Sequence, residues 1–242
     1  MTAQFHQPKI EPLGDSAVTV TFGDAIDETI HQAVCRFFQT VEQSPFPWMI
    51  EAVPTYTGVA IHYHPANVKS GDCFPFIQVK KEVEQRLNQM AHDLFDEQKE
   101  RIVEIPVCYG GKYGPDLGAV ADYHHISIDK VIKIHAERQY RVYMIGFAPG
   151  FPYLGGLSSR LATPRKQTPR VKIPQGSVGI AGEQTGVYPM ESPGGWQLIG
   201  RTPIKLFRPE HGEPSLLKTG DLVQFVPIDK ETFEAWAKDD RM

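Results

Sequence analysis

Cysteine is scarce in this chain of 242 residues: Cys35, Cys73 and Cys108 are odd in number, and no two form a CxxC pair. That argues against a disulfide framework and against a sulfur-rich zinc site, and it fits a reduced compartment. No apolar run approaches the about 20 residues that a membrane helix requires. The opening MTAQFHQPKIEPLGDS has neither a basic nor an apolar signal segment. The expectation is therefore a cytoplasmic protein with no signal peptide and no membrane association. An excess of positive charge is also missing: 25 Lys and Arg face 29 Asp and Glu, a net charge of −4. Bulk attraction to nucleic acid is thus unsupported, and no nucleic-acid partner is expected. Internal repeats are absent.

What remains is an ordinary globular composition, 41% hydrophobic and 22% charged, long enough for one large domain or two small ones. The first 100 residues read as an α+β unit. Ala17 to Phe22 is a β-rich run after the turn signal Leu13-Gly14-Asp15-Ser16. Ile30, Ala33, Val34, Phe37, Phe38 and Val41 then recur at helical spacing, with Asp24 or Asp27 able to cap the helix. Strands are predicted over Ile50 to Tyr56 and Val59 to Tyr63, joined at Thr57-Gly58. After a loop containing Gly71-Asp72, a second helix begins near Pro75, with Lys80/Glu84 and Glu82/Arg86 as outer i,i+4 pairs. The charged run Asp96 to Glu100 precedes a strand over Arg101 to Val107. Strands, helix, two strands, helix and strand imply an N-terminal α+β sandwich with helices on one face of a mostly antiparallel sheet. We place the domain boundary at 100, giving domains 1–100 and 101–242.

The second domain is organised by Tyr143 to Pro203, where Gly and Pro alternate with aromatic and β-branched residues. Two short helices are predicted before it, Asp116 to Tyr123 and Ile128 to Glu137. After Tyr140 the pattern predicts short strands near 171–173, 177–181, 186–188, 196–199, 204–207 and 222–225, then a final helix over 229–238. Many short strands at regular spacing imply a β-barrel.

Three motifs in this stretch could carry function. Thr163-Pro164-Arg165 and Thr168-Pro169-Arg170 repeat a unit at a spacing of five. Proline keeps each unit extended, so both guanidiniums sit on stiff backbone suited to carboxylate or phosphate. A solvated loop with local ion pairs is the competing reading. Ile173 to Gly182 is glycine-rich; free N–H groups near Gly176 and Ser177 could form an anion nest, or the glycines could serve barrel turns. It lacks the Gly-Lys-Ser/Thr ending of a P-loop and the spacing of a serine nucleophile elbow. Finally, Phe147, Phe151 and Tyr153 stand on a Gly/Pro frame and could line a groove or close the core. His62, His64, His124 and His125 lack a third ligand at clear spacing, so no metal is assigned. Asp15, Glu183 and Glu191 are candidate acids that nothing pairs.

GFAPGFPYLGGL, ATPRKQTPR, IPQGSVGIAGEQTGVYP and SPGGWQLIGRTP, with YGGKYGPDL and PLGDSAV earlier, closely resemble the KipI/PxpB family, whose members are also called allophanate hydrolase subunit 1 or the B subunit of 5-oxoprolinase. The resemblance runs from Ile10 to about Pro227. It implies a cyclophilin-like fold for the C-terminal β-barrel. It also implies a subunit of an ATP-dependent 5-oxoprolinase, acting with subunits A and C and not active alone. The subunit-2 half found fused in some relatives is then expected on another polypeptide. A second implied role is inhibition of a sporulation histidine kinase, counteracted by a KipA-like protein. For the enzyme we take Arg165, Arg170, Gly176 and Ser177 as substrate- or phosphate-binding candidates, with Tyr153 or Gln184 orienting, and assign no base or nucleophile. For the kinase role Phe147, Phe151, Tyr153 and Trp196 are the candidate anchors. ATP is expected through the complex.

Overall fold

A computed structural model describes residues 8–71, 73–92 and 100–238. Asp72 of the predicted loop and residues 96–99 of the charged run lie outside them. The chain divides into two compact units, Met1–Lys99 and Glu100–Met242.

The first unit holds β1 (Lys9–Pro12), β2 (Ala17–Thr21), α1 (Glu28–Gln43), β3 (Met49–Pro54), β4 (Gly58–Tyr63) and α2 (Pro75–His92). Its four strands form an antiparallel sheet in the order β1-β2-β4-β3. The sequence pattern does not reveal β1, because Lys9 to Pro12 has one buried side chain, Ile10, and so no alternation to read. Asp27 is the cap that forms: its carboxylate accepts from the N–H groups of Thr29 and Ile30. The apolar rows of α1 and α2 (Ile30, Val34, Phe37, Val41, Val79, Val83) bury against the sheet residues Val18, Val20, Val59 and Ile61. Lys80 and Glu84 meet at 3.9 Å as predicted, whereas Glu82 and Arg86 find other partners. Glu82 accepts from the Trp48 indole at 2.8 Å. Arg86 donates to the carbonyls of Thr40 and Ser44, supplying a cation to an α1 terminus that has none in its last turn.

The second unit contains β5 (Ile102–Tyr109), α3 (Leu117–Tyr123), α4 (Ile128–Ala136), β6 (Gln139–Ile145), β7 (Pro152–Gly155), β8 (Arg170–Ile173), β9 (Ser177–Ala181), β10 (Gln184–Val187), β11 (Ser192–Gly194), β12 (Gln197–Arg201), β13 (Leu222–Ile228) and α5 (Lys230–Trp236). Seven strands close a barrel in the order β10-β7-β6-β13-β5-β12-β9. β5, whose order in the chain suggests a sandwich strand, lies inside this barrel, parallel to β13 and beside β12. Its side chains Ile105 and Val107 are fully buried and join the core with Val142, Leu154, Val178, Ile180, Ile199 and Phe225. The predicted strand over 204–207 does not form; Phe207 makes an isolated bridge to Ser215. β8 and β11 pair as a separate two-stranded sheet that carries the second Thr-Pro-Arg arginine. Among the described residues no helix is long and apolar enough to cross a membrane.

Candidate functional site

Between β6 and β7 the chain reverses within Gly146 to Gly150. Gly146 N–H donates to the Phe151 carbonyl at 3.1 Å, and Phe151 N–H to the Ala148 carbonyl at 2.9 Å. Phe147 occupies the left-handed region at φ 68°, a conformation bulky residues rarely adopt, and its ring is 71% exposed. The ring stands edge-on to Phe151, centroids 5.5 Å apart.

Phe151 itself is 2% exposed and roots a cluster of rings: Tyr153 at 5.2 Å, Tyr188 at 5.7 Å and Trp196 at 5.8 Å, each near edge-to-face. Two glycines make room for it. A Cβ on Gly194 would fall 2.5 Å from the Tyr188 hydroxyl, and one on Gly186 would fall 3.1 Å from the Trp196 ring. Burial pushes the Tyr188 phenol up to about 12, against the opposing pull of Arg165, an N–H donated by Trp196, and Arg170.

The basic arm is pinned along its length. Gly182 N–H donates to the Thr163 carbonyl at 2.8 Å, Gln197 Nε2 to the Pro164 carbonyl at 2.9 Å, and Lys166 N–H to the Gly195 carbonyl at 2.7 Å. Its charges then converge on one buried acid, Asp116, at the end of the YGGKYGPDL loop. Asp116 Oδ1 accepts from Arg170 Nη2 at 2.7 Å and Lys166 Nζ at 3.0 Å; Oδ2 accepts from Leu198 N–H at 2.7 Å. Burial raises the carboxyl's pKa, but the bonds from Arg170, Leu198 and Lys166 outweigh it and hold the group below its ordinary value. Arg165 remains exposed.

The proposed residues thus separate. Tyr153, Tyr188 and Trp196 surround Phe151, whereas Arg170 pairs with Asp116 and Arg165 lies exposed. Gly176 and Ser177 are not available as an anion nest: Gly176 N–H donates to Tyr188 O, and Ser177 N–H and its hydroxyl both donate to Pro174 O. The first of these bonds ties the turn before β9 to the end of β10, and the others close that turn on itself. Gln184 opens β10 opposite Ala181 and is half-buried. Of the four anchor rings, Phe151 and Trp196 are core residues, Tyr153 is half-buried, and Phe147 is the exposed one. Glu191 is paired with Lys172 at 3.0 Å. Among the described residues no three His, Cys, Asp or Glu side chains gather as a metal site. Sequence reasoning does not find Asp116, Lys166 or Tyr188. A Pro-Asp after three glycines reads as a turn, and nothing local says that its carboxylate meets cations 50 and 54 positions away. Beside the same loop, Tyr109, Gly111, Pro115, Leu117, Gly118 and Ile132 line a recess of about 390 Å³.

Residues 8–217 match the family model described as carboxyltransferase domain, subdomain C and D. The chain is 50% identical over 235 residues to the B subunit of 5-oxoprolinase from Bacillus subtilis, covering 96% of this chain and 97% of that one. It is 39% identical over 215 residues to the B subunit of 5-oxoprolinase from Escherichia coli O157:H7, covering 89% and 94%. The fold matches the crystal structure of the K. lactis urea amidolyase with a TM-score of 0.72 at 21% identity, over 96% of this chain and 15% of that one. The chain belongs to the carboxyltransferase subdomain C and D family, on the branch whose bacterial members are named as the B subunit of 5-oxoprolinase.

Proposed function

We propose that this chain is the B subunit of an ATP-dependent 5-oxoprolinase, a multi-subunit hydrolase that opens 5-oxoproline to L-glutamate. The observation that carries this reading is the 50% identity to a protein of that name across 96% of the chain. Opening a five-membered ring amide requires activation of its carbonyl, here by phosphoryl transfer from ATP to the amide oxygen; water then adds to the carbonyl carbon, the ring C–N bond breaks to free the amine, and the phosphoryl group leaves as inorganic phosphate. The A and C subunits, the latter KipA-like, supply what this chain lacks. The chain's contribution is a cationic surface on a rigid barrel. Arg165 is exposed to solvent, and Arg170 is held by Asp116. Such donors suit the substrate carboxylate and the charge that develops on a transferring phosphoryl group. The second unit's barrel is proposed to be cyclophilin-like in fold, which by itself implies no prolyl isomerase activity.

The test is 5-oxoproline hydrolysis by the reconstituted A, B and C subunits. Omitting this chain should abolish activity. The pair Arg165→Ala and Arg170→Ala should lower kcat/KM by about a hundredfold, the loss of two charge-assisted contacts. Unchanged activity in the double variant would remove both arginines from the site.

The exposed ring of Phe147 supports a second reading, direct binding to a sporulation histidine kinase to block its autophosphorylation. Phe147 would be the apolar anchor, with Tyr153 behind it. Purified chain at saturating concentration should slow the kinase, and Phe147→Ala should relieve the block. If native chain leaves the autophosphorylation rate unaltered, this role is gone.

A further inference from the structure

The recess beside the 110–116 loop takes no part in the chemistry proposed above. Its walls are Tyr109, the glycines of the loop, Leu117 and Gly118 of α3, and Ile128 and Ile132 of α4, around a volume of about 390 Å³. These walls are held by the chain itself. The Tyr109 hydroxyl is bonded to His135 Nδ1 at 2.7 Å, and Gly110 N–H ties the loop to the Ile199 carbonyl at 3.0 Å. An occupant therefore meets surfaces already ordered, which favours binding.

Internal packing explains every lining glycine but one. Gly110 and Gly111 have φ of 72° and 52°, where other residues are strained, and a Cβ on Gly114 would strike the Ile199 carbonyl. Gly118 has neither reason. It lies in α3 with no positive φ, and a Cβ there meets nothing within 4 Å. Alanine is the better helix former, and nothing in the chain excludes it. Bare backbone at such a point suits the close approach of a group from outside the chain. Beside it the Ile128 side chain is 46% exposed, although Ile132, one turn on, packs against the barrel core. The lining also restricts the occupant. No charged residue lines the recess, so nothing there orients a carboxylate, a phosphate or an amine. The volume sits toward the low end of the roughly 300–1,000 Å³ of small-molecule pockets, and those bury most of their ligand, whereas Ile128 leaves this recess shallow. One large apolar side chain suits it, and a pocket filled by such an anchor is the usual centre of a protein interface. A homologous crystal structure, 32% identical with a TM-score of 0.74, matches 88% of this chain, yet the match is 40% of its own length. There the fold is joined to further polypeptide, which points to protein as the covering chemistry.

We propose that the recess between the 110–116 loop, α3 and α4 is a docking site for a partner polypeptide, which inserts one aromatic or aliphatic side chain over Gly118 and against Ile128. The partner is the KipA-like C subunit, a separate chain in place of the polypeptide that the longer relative carries in the same chain. That choice rests on the function proposed above.

Isothermal titration calorimetry of the full chain with the purified C subunit is the test. Native chain should bind saturably. Gly118→Leu places a helix-favouring side chain in the recess and should weaken binding about tenfold or more, and Gly118→Ala a few-fold. Ile128→Asp should also weaken it about tenfold or more while sparing the fold, since an acid in the first turn of α4 suits the helix dipole. Ile102→Thr is the comparison. Its side chain is 52% exposed at the far end of β5 from Tyr109, and its binding should stay native-like. Thermal denaturation checks that each variant folds, and Gly118→Ala with Ile128→Asp carries the test if Gly118→Leu does not. Native-like binding by the folded recess variants overturns the docking site, as does equal weakening by Ile102→Thr. Native chain that ignores the C subunit overturns it too, and so does a Gly118→Leu effect seen only with the A subunit or only on self-association of the chain. The enzyme is judged separately. C-subunit binding that Gly118→Leu removes, in a set of subunits that hydrolyses no 5-oxoproline, keeps the docking site and rejects the enzyme. Hydrolysis whose half-saturating subunit concentration is unchanged by Gly118→Leu does the reverse.

Discussion

Gly114→Ala should destabilise the barrel unit by about 3 kcal/mol or more, lowering Tm by on the order of 10 °C. A Cβ at this position would lie 2.0 Å from the Ile199 carbonyl oxygen, 2.2 Å from its carbon and 2.7 Å from the Gly110 nitrogen. All three are backbone atoms, so no rotamer change relieves the clash. The loop would have to lift from β12. Lifting it strains Gly110 N–H to Ile199 O at 3.0 Å and Asp116 N–H to Leu198 O at 2.9 Å. Those bonds hold Asp116 where Lys166 and Arg170 find it. Gly118→Ala, four residues on, is the control: it lies in α3 and a Cβ there meets nothing within 4 Å. It should be neutral or stabilising by up to about 1 kcal/mol, the usual gain of Ala over Gly in a helix. Thermal denaturation of the two variants measures the difference. Equal Tm values would mean that the loop does not pack against β12 as closely as the distances require.

The second large effect is on pH. His135 is completely buried in the barrel, stacked on Phe225 with ring centroids 4.6 Å apart. Thr185 donates its hydroxyl to the Gly179 carbonyl at 3.0 Å, so its oxygen accepts from His135 Nε2–H at 2.9 Å. That leaves Nδ1 to accept from the Tyr109 hydroxyl at 2.7 Å. Both nitrogens are satisfied in the neutral ring, and a second proton, on Nδ1, would force the Tyr109 hydroxyl to turn its hydrogen away. Burial lowers its pKa to about 3 from an ordinary 6.5. The unfolded chain therefore binds a proton below pH 6.5 that the folded chain refuses until about pH 3. Stability contributed by the neutral ring is complete above pH 6.5 and drains away as the pH falls through that window, on the order of 5 kcal/mol in all. Asp116, with its depressed pKa, loses its contribution only at the acid end of the window, and Asp221, whose pKa burial raises, is common to both proteins and cancels in a comparison with a His135 variant. Urea denaturation across that window should show stability falling by roughly 1.4 kcal/mol per pH unit in excess of a His135→Gln variant, which keeps a donor and an acceptor but no titrating ring. Parallel curves for the two proteins would mean that the ring takes up its proton in the folded barrel as readily as in the unfolded chain.

Sequence alone determined the local structure. Helical periodicity placed α1 and α2, because an apolar stripe of period 3.6 is written in neighbouring residues. Gly, Pro and aromatic density marked Tyr143 to Pro203 as short strands and fixed turns, and its long motifs placed the chain in its family. The tertiary structure decided every pairing between distant residues. β5 joins the barrel through β13, more than a hundred positions away, a choice that its own alternation cannot express. The Gly176 and Gly182 amides are occupied by the carbonyls of Tyr188 and Thr163, and Phe151 and Trp196 pack against a Gly186 surface that leaves space for rings. Asp116 and His135 carried no local signal at all. An acid after a proline and a histidine in a helix look ordinary until closure of the sheet removes water and leaves each with chosen partners, and that desolvation is a property of the assembled barrel.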